Sequence, residues 1–264
     1  MNDASHLLVE ARGPIRTIVI NRPEQRNALP PAAWLGLRDV LAQIAADTEA
    51  RVVVLRGAGN RAFSSGYDIG ALRELTEQGI VLSTPDDPFE VALAAVVEHP
   101  LPIVAMVGGY AVGGGCTLAA GCDVRIVSAS ARFGMPPAKL GLVYSATELR
   151  PFIDLIGPAR TKWMFFSGRL IDAAKALQIG LVDEVLPDDE LEAYTYTLAE
   201  EIAANAPLSV QGTKRIVREM GGPAAPDDAA SRIAAEIERV NRSADLAEGM
   251  RAFLEKRRPE FRGA

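Results

Sequence analysis

The chain has 264 residues, 48% hydrophobic and 23% charged, enough to bury a large core as one generous domain or a domain with an appendage. A formal net charge of −6 argues against broad binding to nucleic acid or to an anionic membrane, both of which need a positive field. An anionic small ligand would need local cations; Arg22 with Arg26, and Lys256-Arg257-Arg258, are the compact candidates, although charge alone reads each as a solvated surface cluster.

No charged segment followed by an apolar one opens the chain, so secretion is not expected. "HLLVEARGPIRTIVI" predicts two strands around the Gly13-Pro14 turn. Residues 31 to 47 predict a helix, with Pro31 in its first turn and Trp34, Leu37, Leu41 and Ile44 on one face. "VVVLRG", "IVAMVGG" and "DVRIVS" are short apolar strands. Between them lie the loop "FSSGYDIG" and a helix near residues 88 to 98. "VALAAVVEHPLPIVAMVGGYAVGGG" is too interrupted for a membrane span and reads as helix, turn and buried strand. Strands alternating with helices indicate an α/β fold with crossover connections.

After about residue 145 the pattern turns nearly all helical, punctuated by Gly157-Pro158, Gly168, Gly180 and Pro207. "DAAKALQIG" starts on an Asp N-cap and stops at a glycine. Residues 190 to 205 place Leu191, Tyr194, Leu198 and Ile202 on one stripe. "MGGPAAPDD" reads as a flexible break, with two more helices before Pro259. The expected division is an α/β core over residues 1–195 and a C-terminal helical region over 196–264. Cys116 and Cys122 fit a reducing compartment; they face different sides of one helix and read as buried, inert thiols. His99 in its turn reads as structural, His6 as exposed, and Tyr110 as packed.

Two loops carry the chemistry. "YAVGGGCTLAAGCD" puts three glycines where a strand passes into a helix, and helix N-termini expose unpaired N–H groups at a positive dipole end. Glycine lets a second molecule approach that backbone, as an oxyanion site requires, although tight helix–strand packing would use the same residues. The phosphate-loop and dinucleotide-binding glycine patterns are absent. "RAFSSGYDI" is a second glycine-bearing connection and offers the Tyr67 amide as a donor.

These loops, with "NRPEQRNAL", "AFSSGYDI", "GGYAVGGGCTLAAGCDVRI", "FGMPPAKLGL", "IGLVDEV" and "EGMRAFLEKRRPEF", resemble the crotonase superfamily, the enoyl-CoA hydratase/isomerase family, in order and spacing over essentially the whole chain. The resemblance implies an α/β spiral of ββα units with a C-terminal helical region that mediates trimerisation, often as a dimer of trimers. It implies a cytoplasmic enzyme acting on an acyl-CoA substrate, with no separate cofactor, metal, membrane or nucleic-acid partner. It implies that the thioester oxygen accepts hydrogen bonds from the amides of Tyr67 and Gly114. Ser65, Gly66, Asp68 and Ile69 would line the adenine and pantetheine path with Gly113 beside them. Arg26, Ala28 and Lys256 resemble positions that contact coenzyme A.

The chain departs from the hydratases of that family at two places. They carry one glutamate directly after "GGGC" and another after "FG-x-P"; this chain has Thr117 and Pro137 there, and Ser145 where dienoyl isomerases have a further acid. Neither threonine nor proline can exchange a proton near neutral pH. Ser145-Ala146-Thr147-Glu148 reads as a capping box, or else Glu148 is a relocated acid. Tyr144 is similar to a tyrosine of methylmalonyl-CoA decarboxylases, which also lack both glutamates but have a histidine where this chain has Tyr67. The residues therefore suit a lyase working through a thioester enolate, decarboxylase-like rather than hydrating. The alternatives are a catalytically silent acyl-CoA-binding protein, and a hydratase, isomerase or hydrolase with a relocated acid such as Glu148.

Overall fold

Gly13, left-handed at φ +54°, reverses the chain between β1 (Leu7–Arg12) and β2 (Ile15–Ile20), which pair antiparallel in this computed structural model. The structure describes residues 6–79, 82–221 and 226–264. β2 is buried along its whole length, whereas β1 shows mostly exposed residues, as befits a sheet edge. Beyond β2 the pairing is parallel, through β3 (Val52–Gly57), β5 (Ile103–Val107), β7 (Val124–Ser128) and β10 (Glu184–Leu186), giving one six-stranded sheet in the order β1-β2-β3-β5-β7-β10. These near-continuous apolar runs are what strands covered on both faces require.

Parallel neighbours need crossovers, which helices supply. α1 (Pro31–Ala45) buries Trp34, Leu37, Leu41 and Ile44, the expected face, and packs on α3 (Pro88–Glu98). A second sheet was not legible in the sequence. β3, β5 and β7 are each followed by a three-residue strand: β4 (Ala62–Ser64), β6 (Tyr110–Val112) and β8 (Arg132–Gly134). With β9 (Leu170–Asp172) these make a four-stranded sheet ordered β4-β6-β8-β9. Strand to the large sheet, strand to the small sheet, then helix is the repeating ββα spiral that the resemblance implies. α2 (Ile69–Glu77) and α4 (Gly114–Gly121) follow β4 and β6.

The C-terminal half is less uniformly helical than its pattern suggests, since β9 and β10 lie within it. After the short α5 (Pro137–Leu140), α6 (Ala146–Ser167) kinks at Gly157, φ +73°, immediately before Pro158. α7 (Ala173–Ile179) runs from the Asp172 N-cap to Gly180, as expected. α8 (Leu191–Ala203) covers the other face of the large sheet, setting Leu191, Tyr196 and Ala199 against Ile15, Val52, Val54 and Val104. Its buried face is turned from the expected stripe: Tyr194 is 40% exposed, while Thr195 and Tyr196 are buried. Satisfied hydrogen bonds let these polar side chains go inside, Thr195 Oγ1 donating to the Leu191 carbonyl at 2.7 Å and the Tyr196 hydroxyl pairing with Thr17 at 2.9 Å. The expected division after residue 195 falls inside this helix. α9 (Pro207–Gly221), α10 (Pro226–Asn241) and α11 (Ala244–Glu255) complete the chain, and residues 222–225 of the expected flexible break lie outside the described residues. No helix among the described residues is long and apolar enough to cross a membrane.

Candidate active site

β4 and β6 are parallel neighbours, so the loops leaving their C-terminal ends open side by side. Gly66, left-handed at φ +85°, backs directly onto the glycine run: a Cβ there would stand 2.6 Å from the Gly114 nitrogen and 3.0 Å from its Cα. A Cβ on Gly115 would stand 2.0 Å from the Ser64 carbonyl oxygen, closer than any real Cβ contact. Gly66 and Gly115 are thus demanded by packing, and Gly114 is tightly placed, its Cβ position lying 3.3 Å from the Gly66 Cα and from the Phe89 ring. Gly113 differs, since its Cβ position lies 3.5 Å from the Tyr144 hydroxyl and 3.9 Å from the Ser65 carbonyl.

Several amides of these loops already have a partner. Ser65 N–H donates to Arg26 O at 3.0 Å, Gly66 N–H to Ser64 Oγ at 3.0 Å, and Asp68 N–H to Leu29 O at 3.0 Å. Gly113 N–H donates to Gly134 O at 2.9 Å and Thr117 N–H to Gly113 O at 3.0 Å. Among the described residues no such bond takes up the amides of Tyr67 and Gly114, nor those of Ile69, Gly115 and Cys116, which lie in the open first turns of α2 and α4. The Gly66 carbonyl accepts from Leu29 N–H at 2.8 Å. In a trans peptide N–H and C=O point oppositely, so the Tyr67 amide points away from Leu29. The Gly114 amide is the first of its helix, at the positive end of the α4 dipole.

A fully buried asparagine holds the first loop in place. Asn27, itself left-handed at φ +56°, accepts Arg22 N–H at 2.9 Å and donates to the carbonyls of Ala58 at 3.1 Å and Ala62 at 2.7 Å. Its own carbonyl accepts from Ser64 Oγ at 2.8 Å.

Aromatic and acidic side chains line the neighbourhood. The Tyr67 ring is tilted against Trp34 at 6.0 Å and Phe89 at 6.2 Å, and its hydroxyl donates to Asp87 Oδ1 at 2.8 Å. Tyr144 meets Phe165 edge to face at 5.6 Å. Burial raises both phenols above their ordinary value, the Asp87 carboxylate adding for Tyr67 and the Glu148 carboxylate for Tyr144, so both are neutral at physiological pH. Asp87, Glu90 and Glu148 are all buried. Burial pushes Glu148 up to about 7, against the lowering bonds from Ser145 and Ser83.

The capping box is complete. Glu148 N–H donates to Ser145 Oγ at 3.1 Å, and Ser145 N–H donates to Glu148 Oε2 at 2.8 Å. Ser145 Oγ in turn donates to Glu90 Oε1. Thr117 is buried and returns its hydroxyl to Gly113 O at 3.3 Å; Pro137 is buried as the first residue of α5.

The residues expected around coenzyme A are spread more widely. Ala28 is buried, Ser65 half-buried, Ile69 61% exposed, and Arg26 exposed in a left-handed turn. Arg22 is spent on Asp68 at 3.0 Å, which holds that carboxyl below its usual range. Lys256 is the exposed C-cap of α11, and among the described residues no hydrogen bond or ion pair ties it to the two loops. Its neighbour Arg257 is bound to Glu248 and Glu255 at 2.6 Å each.

His99 is structural, its ring nitrogens lying 3.3 Å from Leu101 O and 3.2 Å from Leu41 O. His6, expected to be exposed, is half-buried, because its backbone carbonyl accepts Asn21 N–H at 2.7 Å and fixes it beside the sheet. Tyr110, expected to pack, is 46% exposed, because it starts the short strand β6 with its side chain on the outer face. Both cysteines are buried and free, and burial pushes their thiols up to about 12. Asp87 and Glu90 were missed in the sequence. The Asp87-Pro88 pair is a legible helix start, but nothing local says that Glu90 faces Ser145. Among the described residues no group of three or more His, Cys, Asp or Glu is gathered as a metal would require.

With fold and loops in view, the likeness to known proteins is specific. The chain matches the sequence model of the Enoyl-CoA hydratase/isomerase family over residues 10–264 and belongs to that family. It is 34% identical to the 2,3-dehydroadipyl-CoA hydratase of Escherichia coli over 265 residues, covering 98% of this chain and 99% of that protein. It is 32% identical to the short-chain-enoyl-CoA hydratase of Clostridium acetobutylicum over 262 residues, covering 98% of each. The crystal structure of an enoyl-CoA hydratase/carnithine racemase from Magnetospirillum magneticum superposes with a TM-score of 0.91 at 35% identity, covering 98% of this chain and 96% of that one. The fold is the crotonase fold, and the protein is an enzyme of the acyl-CoA-processing enoyl-CoA hydratase/isomerase family.

Proposed function

We propose that the protein binds an acyl-CoA thioester with its carbonyl oxygen between the amides of Tyr67 and Gly114, and that these stabilise the enolate formed in the reaction. The observation that carries this is the pair of adjacent loops that leave the Tyr67 amide unbonded between the bonded amides of Gly66 and Asp68, and the Gly114 amide unbonded after the bonded amide of Gly113, at the positive end of α4. Preorganised donors aimed at developing charge are the strongest single contribution available to such a site, about 10²–10³ in rate for each. The reaction is a lyase reaction of decarboxylase type. Thr117 and Pro137 supply no acid–base pair, and loss of CO₂ from a malonyl-type thioester yields the enolate without a base. The neutral Tyr144 hydroxyl, bordering Gly113, is the proton donor that then quenches it. Buried carboxylates nearby disfavour a substrate carboxylate in the ground state and so favour its loss.

A second reading rests on Glu148. A carboxyl poised near 7 can act as both acid and base at neutral pH, and the relatives named as hydratases lend support to hydration. Against it, one carboxyl oxygen is committed to the helix cap. Turnover of crotonyl-CoA compared with methylmalonyl- and ethylmalonyl-CoA separates the two. The lyase reading predicts decarboxylation that Tyr144→Phe abolishes; hydration lost only in Glu148→Gln would replace it. Tight acyl-CoA binding with no turnover on any of the three would leave a silent binding protein.

The same reading assigns the coenzyme A moiety to the Ser65–Ile69 stretch, with Arg26, Ala28 and Gly113, and takes the thioester as substrate with no further cofactor. It makes the protein a cytoplasmic homotrimer or a dimer of trimers, with Lys256 reaching a neighbouring subunit's ligand. Exposed Val217, Met220, Ile237, Met250, Phe253 and Leu254 on α9, α10 and α11 support that assembly, because a lone chain leaves this apolar surface wet.

A further inference from the structure

Tyr67 offers more than its amide. Its ring is caged by Trp34 and Phe89, and its hydroxyl ends on a carboxylate that is itself 6% exposed. That carboxylate, Asp87, is the N-cap of α3: Oδ1 also accepts Phe89 N–H at 2.8 Å, and Oδ2 accepts Ser83 N–H at 3.3 Å. The Phe89 ring edge comes within 3.3 Å of where a Cβ on Gly114 would stand. One buried side chain therefore grips Tyr67, which carries one free amide, and the backbone of Phe89, whose ring abuts the residue that carries the other. Capping α3 needs only one acceptor, whereas Asp87 accepts from three donors, so this buried side chain serves more than the cap.

We propose that Asp87 is a positioning residue for the thioester carbonyl site. The peptide joining Gly66 and Tyr67 is held at its carbonyl by Leu29, and Gly66 has no side chain to restrain it further. Rotation about that hydrogen bond would swing the Tyr67 amide off target. Fixing the phenol at its far end removes that freedom, because the Cα–Cβ direction of Tyr67 is then set by the ring cage and Asp87 together. This inference rests on the enolate reading above.

Acetyl-CoA labelled with ¹³C at the thioester carbonyl is the probe, and the isotope-edited infrared carbonyl band of the bound molecule is the readout. Wild-type protein lowers the band relative to free acetyl-CoA. Tyr67→Phe, which keeps the ring and the amide, and Asp87→Ala each lose a large part of that shift and broaden the band, read at saturating acetyl-CoA. Asp87→Asn, which keeps an acceptor for both partners, restores most of it. A full wild-type shift in folded Tyr67→Phe and Asp87→Ala overturns the role of Asp87 while leaving the carbonyl site standing. No shift in the wild type overturns both. If Asp87→Ala does not fold, Tyr67→Phe decides alone.

Discussion

At the scale of single residues, the glycine run divides its labour. Gly115 answers to the Ser64 carbonyl, so packing dictates it, and Gly114 fits tightly against Gly66 and Phe89; Gly113, left-handed at φ +56°, faces the space beside Tyr144. Gly115→Ala is expected to cost at least about 1–3 kcal/mol through overpacking against backbone that cannot yield. Thermal unfolding reads this as a fall of about 2–4 °C for each kcal/mol. Glu148 gives a second test. Its carboxyl rises from an ordinary 4.5 to about 7 in the folded protein. The native state therefore holds the proton more tightly than the unfolded chain, and stability is lost as pH rises through that window. The loss is about 3 kcal/mol, complete above neutrality. Glu148→Gln keeps the capping box and removes the charge, so denaturant titrations of this variant should show a flatter decline between pH 5 and pH 8 than the wild type.

Elements explain why the site forms where it does. Each donor loop leaves a three-residue strand, and β4 and β6 are neighbours in one small parallel sheet. Long strands, helix faces and caps were legible in the sequence because periodicity and cap chemistry repeat over many residues: β2, β3, α1, α3 and α7 fall where expected. The small sheet was not, since three residues carry no usable period and only the partner strand defines them. The rotated face of α8 was missed for a related reason, its buried Thr195 and Tyr196 being settled by Leu191 and by distant Thr17. Of the candidate site, the glycines and Tyr67 could be named from local pattern and Tyr144 from the family resemblance, but Asn27, Asp87 and Glu90 act across tens of residues. The start of α6 shows local and distant chemistry meeting. Ser145→Ala removes the N-cap acceptor, worth about 1 kcal/mol, and also strips Glu90 of its hydroxyl donor. Its denaturation midpoint should drop further than that of Ser243→Ala, which removes only the Leu246 cap on α11.

Across the whole molecule, two features bear on the proposed assembly. The C-terminal helices leave Met250, Phe253 and Leu254 at 61%, 84% and 80% exposure, and Lys256 stands apart from the loops it would serve. Light scattering should return a mass of three or six chains for the wild type, and Phe253→Asp should shift it towards single chains. A monomeric wild type would remove the oligomeric part of the account and leave Arg26 as the exposed cation among the residues assigned to coenzyme A. The negative net charge fits this division, with recognition of a polyanion resting on a few placed cations rather than on the protein's overall field.

The central claim is that one thioester oxygen is shared by two main-chain amides, and a crystal structure with a slowly turned-over acyl-CoA bound tests it most directly. The account predicts that oxygen within about 2.7–3.1 Å of both the Tyr67 and the Gly114 nitrogen, with Tyr144 the closest hydroxyl to the α-carbon. An acyl chain whose carbonyl lies away from either amide, or bonded to a side chain instead, would contradict it.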